Sequence, residues 1–174
     1  MAMKAAECIN CGAPAKSSPQ SYRYQESGVP NLVLEGVTVG RCASCAESTV
    51  SIPRLTKVHA AIARALLTSP HRLSGAQFRF LRKQLGLSGE ELGEYLHTDK
   101  TKVSKWEREE DPIGPSADRL MRLLAVSMSA GKLGPVSAVA AYLPSISDEA
   151  GDSFDLHVDV NSLTFWFEPA RKAA

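Results

Sequence analysis

No apolar run in these 174 residues reaches the roughly 18 to 20 positions that a membrane-spanning helix needs. The opening stretch, Met1-Ala-Met-Lys-Ala-Ala-Glu-Cys8, has no apolar core of the kind that marks a secretory signal. A cytoplasmic location with no membrane partner is therefore expected. Also absent are a Ser/His/Asp arrangement, a paired-carboxylate signature and a phosphate-cradling glycine loop, so an enzyme is not expected. From Ser48 to Gly89 there is no acidic residue, while Arg54, Lys57, Arg64, Arg72, Arg79, Arg82 and Lys83 are all basic. The net charge of +1 conceals this cationic block, which favours either a polyanionic partner or a solvated helix face. The chain from Leu133 onward carries six acids against Arg171 and Lys172. Opposite ends are thus expected to meet opposite partners.

Cysteine is missing after position 45, and the four present form two pairs, Cys8-Ile-Asn-Cys11 and Cys42-Ala-Ser-Cys45. A gap of two residues lets one tight knuckle aim two thiolates at a single ion, and zinc favours four such ligands in a tetrahedron. Asn10 and Gly12 tolerate the positive φ that the first knuckle needs, whereas Ala46 stands where glycine would be easier. Disulfides belong to oxidising compartments, and a thioredoxin-like dithiol needs a βαβ context that this region lacks. The expectation is one structural Zn2+ per chain held by Cys8, Cys11, Cys42 and Cys45, with iron in the same cage as the alternative. Four thiolates leave no coordination position open for catalysis.

Between the knuckles, Tyr22-Arg-Tyr24, Leu32-Val-Leu34 and Val37-Thr-Val39 read as short strands broken at residues 27–31 and at Gly36. A module this small buries little apolar surface, so metal is expected to supply much of its folding energy and chelation to unfold it. Leu55, His59, Ile62 and Leu66 then recur at helical spacing, giving a linker helix that ends before Pro70. His59 reads as a half-buried packing residue at a hinge rather than as a metal ligand.

Ser74 suits the N-cap of a helix carrying Phe78, Leu81 and Leu85 and stopping at Gly86. Ser88 with Glu91 forms a capping-box pattern ahead of Leu92, Tyr95 and Leu96, and Asp99 can cap a third helix. In that helix Val103 and Trp106 point inward, leaving Lys100, Thr101, Lys102, Lys105 and Arg108 mostly outward. Asp118 to Met128 is a further amphipathic helix through Leu120, Leu123, Leu124 and Met128. Short helices joined by such tight turns describe a helix-turn-helix whose second member enters the DNA major groove; a small helical bundle with a basic face fits the same pattern. Near the end, Phe154 to Val160 alternates apolar with polar, Asn161-Ser162 makes a turn, and Leu163-Thr-Phe-Trp-Phe167 resumes. This hairpin is expected to pack on the core or to pair across a dimer, with a partner-binding strand as the alternative.

Leu87-Ser-Gly-Glu-Glu-Leu92 followed by Asp99-Lys-Thr-Lys-Val-Ser-Lys-Trp-Glu107 resembles the helix-turn-helix of Xre-type, phage-repressor-like regulators over residues 74–130. It departs from them at Gly89 for a glutamine, Gly93 for an alanine, and His97 and Glu109 for glycines. A longer resemblance, from Cys8 to Leu124, is to MqsA-type antitoxins with a YgiT-type zinc finger. It rests on Tyr24-Gln-Glu-Ser-Gly-Val-Pro-Asn31, Gly36-Val-Thr-Val, Leu73-Ser-Gly75, Arg79-Phe-Leu-Arg-Lys83, Ser104-Lys-Trp-Glu107 and Asp118-Arg-Leu120, beside both CxxC pairs. The resemblance implies a metal module that binds a toxin protein and a homodimeric helix-turn-helix domain that represses its own operon from a palindromic operator of double-stranded DNA. It implies base reading by Thr101 and Lys105, lysine standing where an arginine is usual, among DNA contacts at Lys100, Thr101, Lys102, Ser104, Lys105 and Arg108. A stand-alone regulator whose metal module binds another protein or a ligand is the alternative.

The expected fold is α+β, mainly α. A small β, zinc-ribbon-like module occupies residues 1–52, a linker helix 53–70, an all-α helix-turn-helix domain 71–132, and an extension with a β-hairpin 133–174.

Overall fold

The computed structural model describes residues 6–150 and 154–169. Asp152, Arg171 and Lys172 lie outside that range. Short β1 (Ala6–Glu7) leads into the long β2 (Pro14–Arg23), which pairs antiparallel with β3 (Leu32–Cys42). The other edge of β3 serves two partners in succession. Its second half pairs with β4 (Ser48–Ser51), and its first half pairs in parallel with β7 (Phe154–Asp159), which hairpins onto β8 (Phe165–Pro169). Gly36 lies between these halves at φ 77, beside a register shift in β2. A Cβ there would sit 2.8 Å from the Asn161 amide nitrogen, which could swing aside, but the positive φ strains any residue other than glycine. Gly36 is thus a bulge inside one strand, where the sequence predicts a break between two.

The helical part is inserted between these two adjacent strands. It comprises α1 (Leu55–Leu67), α2 (Gly75–Gln84), α3 (Gly89–Tyr95), α4 (Lys100–Glu107), α5 (Pro115–Met128) and α6 (Val136–Tyr142), with a two-stranded clip of β5 (His71–Arg72) and β6 (Ser147–Ala150). The resulting architecture is a small β-sheet with a cysteine cluster at its N-terminal end, a helical region, and C-terminal strands that rejoin the sheet.

Helix α1 sits at the centre, touching β7 and β8 on one side and α2 and α5 on the other. Its stripe is therefore wider than the predicted one: Val58, Ala61, Ile62, Ala63, Ala65, Leu66 and Leu67 are all buried, whereas Leu55 is exposed. One hydrophobic cluster joins Tyr24, Leu34 and Val37 of the sheet to Phe78, Leu81 and Met121 of the helices and to Leu156, Val158 and Val160 of the hairpin.

The hairpin turn is gripped by α1 through its arginines. Arg54 donates to the carbonyls of Val160 and Asn161 at 3.1 and 2.7 Å, and Arg64 to that of Leu163 at 3.2 Å. Arg23 of β2 pairs with Asp155 at 3.5 Å. Of the basic block, Arg54 and Arg64 thus contact backbone carbonyls of the C-terminal turn, while the acid Asp155 is paired from outside the block, by Arg23.

Candidate metal centre and nucleic-acid interface

The first knuckle is closed by the Gly12 N–H donating to the Cys8 carbonyl and the Cys8 N–H to the Ala13 carbonyl, both at 2.8 Å, with Gly12 at φ 72. The second is closed by the Cys42 N–H donating to Glu47 at 2.9 Å, and Ala46 does adopt the left-handed φ, 58°, that suits glycine better. Pairing of β2 with β3 brings the two knuckles together through Ala15 opposite Cys42. The four sulfurs lie within 4.8 Å of one another, with Cys8–Cys45 at 3.6 Å and Cys11–Cys42 at 3.5 Å. No pair is bonded, and a tetrahedral ion at about 2.3 Å from each sulfur requires edges of about 3.8 Å, so the donor set fits a metal ion.

The Cys45 and Ser44 N–H groups draw the Cys42 thiol down to about 6. On Cys11 the Ala13 N–H, the largest single influence, acts to lower the value. The crowding sulfurs of Cys45 and Cys42, burial and Cys8 together outweigh it and push the thiol up to about 12. The Cys42 and Cys11 thiols, 3.5 Å apart, thus differ sharply in acidity. His59 is not part of this group. It accepts or donates at 3.0 Å with the Tyr24 hydroxyl and at 3.3 Å with the Gln84 amide, joining sheet, α1 and α2, and burial lowers its basicity.

Helices α2, α3 and α4 are each started by a capping side chain. Ser74 with Gln77 and Ser88 with Glu91 form complete capping boxes on α2 and α3. Asp99 accepts from the Lys102 N–H at 2.9 Å to start α4, and that N–H holds its carboxyl below the ordinary value. The turn between α3 and α4 is tied by the Thr98 N–H to the Gly93 carbonyl at 2.8 Å, with His97 at a left-handed φ of 52 that glycine adopts more easily.

Helix α4 is held rigidly from behind. Val103 and Trp106 are buried, and Trp106 packs edge-on to Phe78 with centroids 5.9 Å apart. Gly75 of α2 lies so close to the Trp106 carbonyl that a Cβ would collide with it. Arg82 forks onto Glu107 at 2.5 and 2.9 Å and donates to the Leu87 carbonyl at 2.7 Å; this pairing with Glu107 raises the basicity of Arg82. The brace fastens α2 to the far end of α4. Sequence reasoning assigned Arg82 to the cationic block and missed it, although the bend that brings Glu107 back to α2 has no local signal.

Of the six residues predicted to meet DNA, Lys100, Thr101 and Lys105 are exposed on α4. Lys102 reaches Asp111 at 3.1 Å and lies 5.9 Å from the Trp106 ring centre. Arg108 forks onto Glu110 at 2.6 and 3.0 Å and donates to the Ser104 hydroxyl. A groove of about 540 Å³ runs between the start of α3 and α4, lined by Ser88, Gly89, Lys100, Thr101, Ser104 and Arg108 among others.

Residues 78–127, from within α2 to near the end of α5, match the family model described as Helix-turn-helix. Residues 78–127 thus form a helix-turn-helix head similar to those of Xre-type DNA-binding regulators. Neither the curated proteins nor the solved structures contain a match to the chain.

Proposed function

We propose that this protein is a sequence-specific transcriptional repressor, acting as a homodimer on a palindromic operator, and the antitoxin of a toxin–antitoxin pair that represses its own operon. The observation that carries the reading is the exposed edge of α4, with Lys100, Thr101 and Lys105 outward on a helix braced by Trp106 and Glu107 inside the matched region. Lysine and threonine reach phosphates, guanine edges and thymine methyls in the major groove. Leu120, Met128, Val136 and Tyr142, exposed on α5 and α6, support dimerisation by offering an apolar face to a second copy. Zn2+ is the proposed occupant of the all-thiolate cage, with a structural role only and no catalysis by the protein. Ile9 and Val50, exposed near the cysteines, support this tip as a protein-contact surface, whether the partner is a toxin or, in the second reading, another protein.

The test is binding to DNA from immediately upstream of the protein's own coding sequence. Lys105→Ala is expected to weaken binding to that DNA by about 1 to 3 kcal/mol, and Lys100→Ala to weaken binding to every duplex while flattening its salt dependence. Unchanged affinity in Lys105→Ala removes that residue from base reading. Co-purification of a small toxin from the native cell separates the antitoxin reading from the stand-alone one.

A further inference from the structure

Immediately after α4 stand three consecutive acids, Glu109, Glu110 and Asp111, on the loop that borders the proposed DNA face. The carboxyl-terminal end of a helix is its negative pole, so acids there oppose helix stability. Their placement is nonetheless fixed. Glu109 takes the left-handed φ of 61° that ends the helix, and the N–H groups of Glu110 and Asp111 donate to the Lys105 carbonyl at 2.9 and 3.4 Å.

The three side chains then part company. Glu109 turns back and accepts from the Gly75 N–H at 3.0 Å at the start of α2. Glu110 forks onto Arg108, and Asp111 takes Lys102. The two cations so held are those of the α4 surface that would otherwise contact phosphate alongside Lys100 and Lys105. The Arg108–Glu110 pair is exposed and the Lys102–Asp111 pair is partly so, and ion pairs that water reaches contribute little stability and exchange partners readily.

We propose, resting on the DNA-binding reading above, that Glu110 and Asp111 are built-in competitors of DNA phosphate, occupying Arg108 and Lys102 until the backbone of a duplex displaces them. A phosphate that takes either cation leaves a carboxylate to recruit an ion from solution, so each exchange subtracts from the counterions released on binding. The loop thereby lowers affinity for any duplex. Base contacts from Thr101 and Lys105 then become necessary for stable binding, which makes the acids determinants of specificity without touching a base.

The experiment compares the full-length wild type, E110Q/D111N and E109Q for binding to the upstream duplex and to an unrelated duplex across a salt series. The double variant is expected to bind the unrelated duplex about tenfold more tightly at moderate salt, with a slope of log affinity against log salt steeper by about one to two. E109Q keeps its carbonyl acceptor for Gly75 and both ion pairs, so it serves as the control for simple loss of charge and should leave the slope unchanged. A double variant with wild-type affinity and slope, or an E109Q effect as large per charge, overturns the proposal. A wild type that binds no duplex overturns instead the DNA-binding reading on which the proposal stands.

Discussion

Arg122 has no side-chain surface in water and is nevertheless well satisfied. It forks onto Asp118 at 2.9 and 3.3 Å and donates to the carbonyls of Leu66, Leu67 and Ser69 at the end of α1 and of His71 beyond it. Asp118 in turn accepts from the Leu73 N–H at 2.7 Å. One guanidinium thus caps the central helix and fixes the entrance to the DNA-binding head. Arg122→Met should cost about 3 to 5 kcal/mol, because it strands a buried carboxylate and several carbonyls. A loss below about 1 kcal/mol in urea unfolding would contradict that role. His59 makes the corresponding junction on the other side of α1, between Tyr24 and Gln84. Burial holds its folded-state basicity below the ordinary 6.5, so the unfolded chain binds the proton more readily. Its stabilising contribution is therefore complete above that value and is lost as pH falls below it. Urea midpoints near neutral pH and near pH 5.5 should show a smaller acid-induced drop in His59→Gln than in the wild type, and an equal drop would contradict the assignment.

At the scale of elements, what could be read from the sequence was local. Ser74, Ser88 with Glu91, and Asp99 mark helix starts because capping is a contact across three residues, and each caps its helix in the structure. The cysteine spacing predicted a cluster because each knuckle is self-contained, and the strands between had only to bring the two together. The buried face of α5 was not legible. Its leucines suggested a stripe through Leu120 and Met128, yet both are exposed, and the buried face holds Asp118, Met121, Arg122, Ala125 and Val126. A paired charge under the core defeats a rule that equates apolar with inside. Nor could alternation of residues 154–160 name a neighbour for β7. It established a strand, while the pairing of Leu156 with Leu32 and Val158 with Leu34 spans more than a hundred residues and depends on the helical insertion between them. Of the placements expected for the hairpin, packing on the core is observed. The acids after α4 had no visible role in the sequence because their partners, Lys102 and Arg108, were already assigned to DNA.

For the whole molecule, the decisive feature is where the metal cluster stands relative to the shared core. The cysteines close the far end of β2 and β3, beside β4, whose residues are all exposed. The near end, with Tyr24, Leu32 and Leu34, is buried against α1 and the hairpin, and α1 is locked to α5 through Arg122. The expectation that chelation unfolds the whole N-terminal module is accordingly narrowed: metal removal should loosen the far end of the sheet and leave the near end and the DNA-binding head folded. Among the described residues no helix is long and apolar enough to cross a membrane. On the proposed reading, the helical region with its braced α4 binds DNA independently of the cysteine cluster. The most direct test is titration of DNA from upstream of the coding sequence with the metal-loaded protein and again after chelation, alongside an unrelated duplex. Tighter binding to the upstream duplex than to the unrelated one is expected, retained when the metal is removed. Failure of the metal-loaded protein to bind, or collapse of binding on chelation, would contradict it.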